Sequence, residues 1–120
     1  MASFRTFEEI NAWKKARIVT KSIYSISKKG DFATDYELKN QIKRASVSIM
    51  ANIAEGFGRR TNKEFANYLN VARASAIEVQ ALLYVASDQN YIDDKVFSSL
   101  YSDLTEVSKM TLSLAQYLRK

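Results

Sequence analysis

Two groups of side chains in this sequence are spaced so that they could act together. Lys14, Arg17, Lys21 and Lys28 stand three, four and seven residues apart, intervals that bring them to one face of a helix. A row of cations so placed suits the phosphate oxygens of a nucleic acid. The second group, Arg44, Ser48, Asn52 and Glu55, recurs at four, four and three residues and makes a polar seam beside an apolar stripe. If the following helix runs antiparallel about the turn at Phe57 to Arg60, Arg44 lies near the level of Ser75 and Glu78, with Ser48 and Asn52 nearer the turn. Arg44 is then expected to pair with Glu78, and Asn52 or Glu55 to serve backbone amides between Gly56 and Asn62. Such a set fixes helix register more than it adds stability, because desolvation offsets much of the Coulombic gain. A site centred on Asn52, Glu55 and Arg59 is the chemical alternative for the same residues.

The rest of the composition narrows the chemistry sharply. The chain has no Cys and no His, which removes disulfides, thiolate and imidazole ligands, the thiol nucleophile and the usual base at neutral pH. No catalytic residue, metal or cofactor is expected. A carboxylate-bridged metal pair of the helical-bundle kind needs Glu-x-x-His and is excluded in that form. The run Gly56-Phe57-Gly58-Arg59-Arg60 looks loosely like a phosphate cradle, but it follows a helix and lacks the third glycine and the Lys-Ser/Thr pair. It reads as a capped turn. Glu8-Glu9 and Asp93-Asp94 fall at helix starts, where the dipole accounts for them.

At 120 residues, 47% apolar and 26% charged, the chain has the size and composition of one globular domain with its own core. No apolar run approaches the roughly 18 residues that span a bilayer, and the N-terminus lacks the apolar segment of a secretory leader. No membrane partner is expected, and the cytoplasm fits best. The net charge of +5 is uneven: the first sixty residues carry 12 Lys or Arg against 6 Asp or Glu, the last sixty 6 against 7. The excess cations are either solvated helix faces or an electrostatic footprint for phosphates.

The elements that must position these residues are helical. Proline is absent and only Gly30, Gly56 and Gly58 can interrupt, so few stops are available. The spacing predicts a first helix from about Phe7 to Lys29, with Ile10, Trp13, Ala16, Arg17, Thr20, Ile23 and Ser27 on one side, closed by Gly30. A second opens with a capping box at Thr34 and Glu37, carries the stripe Leu38, Ile42, Ala45, Ile49 and Ile53, and stops at Gly56. The third opens with Thr61 and Glu64 and buries Phe65, Tyr68, Leu69, Ala72, Ala76, Val79, Leu83 and Ala86. The fourth starts at Asp93 or Asp94 and buries Val96, Leu100, Leu104, Val107, Thr111, Leu114 and Leu118. Four amphipathic helices with short links pack as an all-α, up-down-up-down antiparallel four-helix bundle over residues 1–120. Tyr24, Tyr84, Tyr101 and Tyr117 lie off or at the edge of these stripes and suit a subunit interface.

The arrangement Gln41-Ile42, Arg44-Ala45, Ser48-Ile49, Asn52-Ile53-Ala54-Glu55-Gly56, Gly58-Arg59, Glu64-Phe65, then Ala72, Ser75 and Glu78, resembles the bacterial four-helix bundle family of 23S rRNA intervening-sequence (S23-like) proteins. Phe7, Trp13, Ala16 and Tyr91 extend the likeness over nearly the whole chain. It departs at Ala74-Ser75, where a Gly-Ser pair is usual. The family is also similar to the accessory variability protein of diversity-generating retroelements, a basic ring that contacts a reverse transcriptase and nucleic acid. The resemblance implies a homopentamer of bundles and no enzymatic reaction.

The leading expectation is therefore a self-assembling, non-enzymatic bundle presenting a basic surface to an RNA, a DNA or an acidic protein. Its contact residues are Lys14, Arg17, Lys21, Lys28, Lys29, Lys39 and Lys43, with Arg59 and Arg60 at the turn. The alternatives are a purely structural or protein-interaction module without nucleic acid, and an enzyme using Glu or Asp with Arg.

Overall fold

The computed structural model describes residues 3–120. Four helices account for most of them: α1, Asn11–Ile26; α2, Tyr36–Phe57; α3, Asn62–Asp88; and α4, Asp94–Leu118. Short 3-10 turns at Phe7–Glu9 and Gly30–Thr34 flank α1. The apolar stripes explain the packing. Leu38, Ile42, Ala45, Ile49 and Ile53 of α2 are all buried, as are Phe65, Leu69, Ala72, Ala76, Val79, Leu83 and Ala86 of α3 and Leu100, Leu104, Val107 and Leu118 of α4. Burial of such side chains contributes roughly 1.5 to 3 kcal/mol each for the large aliphatics.

Each helix runs antiparallel to the next, as the cross-contacts demand. Along α1 and α2, Thr20 Oγ1 donates to the Ser46 carbonyl at 3.2 Å, and Tyr24 lies beneath the Lys43 ammonium. From α2 to α3, Gln41 meets Glu78, Ser48 meets Ser75 and Gly56 meets Phe65 and Tyr68. From α3 to α4, Gln80 reaches Thr105 and Asn67 reaches Arg119. Lys15 to Asp103 and Glu106 closes the square between α1 and α4. The result is an up-down-up-down four-helix bundle of 45 × 21 × 19 Å.

Local punctuation differs from the expected scheme in four places. Helix α1 is shorter than Phe7 to Lys29: Ile10 is extended, and after Ile26 the Ser27 hydroxyl turns back to the Tyr24 carbonyl at 3.2 Å. Its buried stripe is Ala12, Ala16, Val19, Ile23 and Ser27, so Trp13, Arg17 and Thr20 move to the edge or the outside. Two alanines in that stripe let α1 lie close to its neighbours, whereas Trp13 packs edge-to-face on Phe7 at 5.0 Å. The cap of α2 is Asp35, whose Oδ1 accepts from the Leu38 amide at 3.1 Å; the Thr34 hydroxyl instead donates to the Asp31 carbonyl. Gly56 lies inside α2 and does not end it. A Cβ there would sit 2.6 Å from Tyr68 Cβ and 3.0 Å from Phe65 Cδ1, so this glycine permits a close approach of α2 to α3.

Helices α3 and α4 start where expected, with Thr61 accepting from the Glu64 amide and Asp93 from the Val96 amide. Helix α3 ends at a left-handed Asn90 (φ 60°). The Tyr91 amide donates to Ala86 and the Asn90 amide to Ser87, the two bonds of a Schellman motif. At the same end Phe32 is fully buried and stacks on Tyr91 at 5.1 Å. The Tyr91 hydroxyl donates to Asp35 Oδ2 at 2.9 Å, so one carboxylate caps α2 and also holds the α3–α4 link.

Candidate nucleic-acid interface

The outward face of α1 is built by the same geometry that buries its small residues. Opposite Ala12, Ala16 and Val19 stand Lys14, Arg17, Ile18 and Lys21, all exposed. Together with half-buried Trp13 they line a shallow cleft of about 350 Å³. The Arg17 guanidinium lies 5.9 Å from the centre of the Trp13 ring. From α2, the Lys43 ammonium sits 4.6 Å above Tyr24 and extends the row across the α1–α2 junction. Cations and aromatic faces thus alternate along one side of the bundle, an arrangement that can take phosphates on the charges and bases on the rings.

The neighbouring Lys15 has the opposite fate. It turns toward α4 and pairs with Asp103 at 3.5 Å and Glu106 at 3.0 Å. The hydrogen bond to Glu106 and the charge of Asp103 push its pKa up. Among the described residues, Lys14, Arg17 and Lys21 form no such ion pair.

The other expected contact residues fall into separate places. Lys28 and Lys29 lie beyond α1, exposed, beside the start of α2. Lys39 is tethered there, donating to the Ala33 carbonyl at 3.1 Å with its ammonium 5.3 Å from the Tyr36 ring. Arg59 and Arg60 are at the α2–α3 turn, the far end of the molecule. Arg59 pairs with Glu64 at 3.7 Å and lies over Tyr68 at 4.9 Å, while Arg60 is exposed. The fold therefore gathers Lys14, Arg17, Lys21 and Lys43 into one surface, continues it to Lys28, Lys29 and Lys39 at one end, and puts Arg59 and Arg60 at the other, the end from which α1 starts. Ile18, 57% exposed, belongs to the cleft without being a cation; its position four after Lys14 and three before Lys21 is the signal in the sequence that places it there.

The polar seam is only partly joined. The hydroxyls of Ser48 and Ser75 are 3.0 Å apart, and Asn52 Nδ2 donates to the Ser48 carbonyl at 2.8 Å and to Ser48 Oγ at 3.0 Å. Arg44 does not pair with Glu78, which instead accepts from Gln41 at 3.4 Å. With Ser48 opposite Ser75, Glu78 stands level with Ala45, whose neighbours on that edge are Gln41 and Ser48; at 3.6 residues per turn Arg44 is further round the helix. Glu55 is exposed, and Asn52 bonds within α2 and not to the turn after Gly56. Ala74 is exposed, so its methyl group is outside the core of the bundle. Among the described residues no group of three or more His, Cys, Asp or Glu could hold a metal ion, and no helix is long and apolar enough to cross a membrane.

The family described as 23S rRNA-intervening sequence protein matches residues 8–113. The chain belongs to that family. A crystal structure from Bacteroides thetaiotaomicron, described as a protein with unknown function from the S23 ribosomal protein family, is similar in fold with a TM-score of 0.79 and 26% identity, covering 88% of this chain and 98% of its own. No curated protein matches the chain.

Proposed function

We propose that this member of the 23S rRNA-intervening sequence protein family is a non-enzymatic assembly protein of the cytoplasm: copies of the bundle associate into a ring, five as the family resemblance implies, and contact the phosphates of an RNA or DNA through α1. The observation that carries the nucleic-acid reading is the row of exposed Lys14, Arg17 and Lys21 on one face, without ion-pair partners among the described residues, beside a Lys15 that has two. Among the described residues only Lys15 and Arg59 are ion-paired, so what distinguishes Lys14, Arg17 and Lys21 is that they share one helix face, where their charges sum to a potential that attracts a polyanion. Trp13 and Tyr24 add ring faces to the same surface. Self-association is supported by the outward side of α3, where Val71, Tyr84 and Val85 are all exposed. That apolar side also favours the second reading, a protein-interaction module with no nucleic-acid partner.

Mobility shift of a structured RNA across a salt series separates the two readings. Phosphate contacts predict a steep, log-linear loss of affinity with salt. Absence of a shift at low salt, or a flat dependence, leaves the interaction module. Light scattering on the size-exclusion peak tests the ring, and a monomer at micromolar concentration removes it.

A further inference from the structure

The side of the bundle opposite α1 and α2 carries a groove between α3 and α4 in which two buried polar atoms have no partner. They are Arg73 Nε and Ser108 Oγ. Both line the same depression of about 190 Å³, with Gln80, Tyr101, Thr105 and Lys109 as its other polar members and Ile77 and Leu112 at its sides. Buried donors without acceptors are uncommon in folded proteins because each forfeits its hydration. Thr20, Ser46, Thr105 and Thr111 each donate back to the carbonyl four residues earlier, whereas the Ser108 hydroxyl is buried without a partner. Gln80 is already committed to Thr105 and to the Tyr101 carbonyl, and no carboxylate pairs with Arg73 among the described residues.

We propose that this groove receives the carboxylate of an acidic side chain from a protein partner. A guanidinium Nε with its neighbouring Nη is a two-pronged donor matched to a carboxylate, and Ser108 supplies a third hydrogen bond from the facing helix; both atoms are closed to solvent in the free chain, so the two side chains turn outward to receive it. The depression is smaller than the 300 Å³ or more typical of metabolite pockets, so it accepts one functional group at the tip of a larger molecule. Ile77, 46% exposed, and Leu112 offer the stem of that group apolar contact. A nucleic-acid phosphate fits less well, since Lys109 is the only other cation lining the groove and a polyanion is held by several in succession. This surface is separate from the α1 stripe, so the two stand or fall independently.

The test observes the Arg73 Nε–Hε signal of the ¹⁵N-labelled full chain, assigned by its disappearance in Arg73→Lys. The probes are a short blocked peptide with one Glu flanked by Leu, the same peptide with Gln, and inorganic phosphate. The Glu peptide is expected to move the signal saturably, the Gln peptide to leave it in place, and Ser108→Ala to weaken the Glu response about tenfold. The chain carrying Gln at Lys14, Lys21 and Lys28 is expected to respond as the wild type does. Equal responses to Glu and Gln, or half-saturation by phosphate at a lower concentration than by the Glu peptide, would overturn the assignment.

Discussion

Adjacent residues in α1 show how little separates a structural cation from a functional one. Lys15 points at two carboxylates of α4 while Lys14, one residue earlier, points at solvent; a rotation of about 100° decides between them. Replacing Lys14, Lys21 and Lys28 together by Gln is expected to lower RNA affinity about equally for all sequences and to reduce the salt slope by about 2 to 3, at just under one per phosphate contact. Filter binding at several salt concentrations reads both. Tyr91 gives a prediction in pH. Its hydrogen bond to Asp35, with some burial, raises the hydroxyl above its ordinary 10.0. The protonated form is thus favoured in the folded state, and this contribution is complete below about pH 10 and lost as pH rises through the displaced value. Lys15, also pushed up, titrates in the same alkaline window, so the difference in melting temperature between wild type and Tyr91→Phe isolates the tyrosine: constant from pH 6 to 9, shrinking above. At this scale the sequence revealed which residues share a face of α1, since Lys14, Arg17 and Lys21 need only helical spacing. It did not reveal partners. Glu78 goes to Gln41 and not to Arg44 because side-chain direction within a turn depends on a helix rotation that only packing sets.

At the scale of the helix, the apolar stripes of α2, α3 and α4 are legible because each is long and regular, although Tyr68, Val96 and Leu114 at their edges are only half-buried; Thr61 and Asp93 are legible as caps. On α1 the spacing identifies Ile10, Ala16, Ile23 and Ser27, all buried, but not the exclusion of Trp13, which outweighs Ala12 in any count of hydrophobicity although the small residue is the one that faces the core. Gly56 suggests a stop for a similar reason: a glycine near a helix end ordinarily marks termination, and the contact that requires it belongs to another helix. Gly56→Ala should therefore destabilise. Ala is favoured in a helix by about 1 kcal/mol over Gly, but the new methyl group meets Tyr68 Cβ, an atom fixed to the α3 backbone, at 2.6 Å. Overpacking of this kind costs about 1 to 3 kcal/mol, and a net loss in a urea titration is the expected outcome. Asn90 presents the reverse case. It holds a left-handed conformation that glycine adopts without strain, so Asn90→Gly is expected to keep or raise stability, and Asn90→Ala to lower it by about 1 kcal/mol.

Considered whole, the molecule presents three unlike sides: cations on α1 and the near edge of α2, an apolar strip along α3, and the Arg73 groove facing α4. If the strip holds copies together, placing Glu at both Val71 and Val85 should shift the light-scattering mass toward that of one chain while the far-ultraviolet spectrum stays helical. Both side chains are exposed, so the bundle itself loses no buried contact. The antiparallel order was foreseeable from link length alone, since short connections allow nothing else. What no pattern in the sequence announced is the fastening at one end, where Asp35 offers one oxygen to Leu38 and the other to Tyr91. Two junctions far apart in the chain thereby share a single latch. Deuterium uptake at the Leu38 amide and around Tyr91 should then proceed in step, because releasing that carboxylate frees both at once.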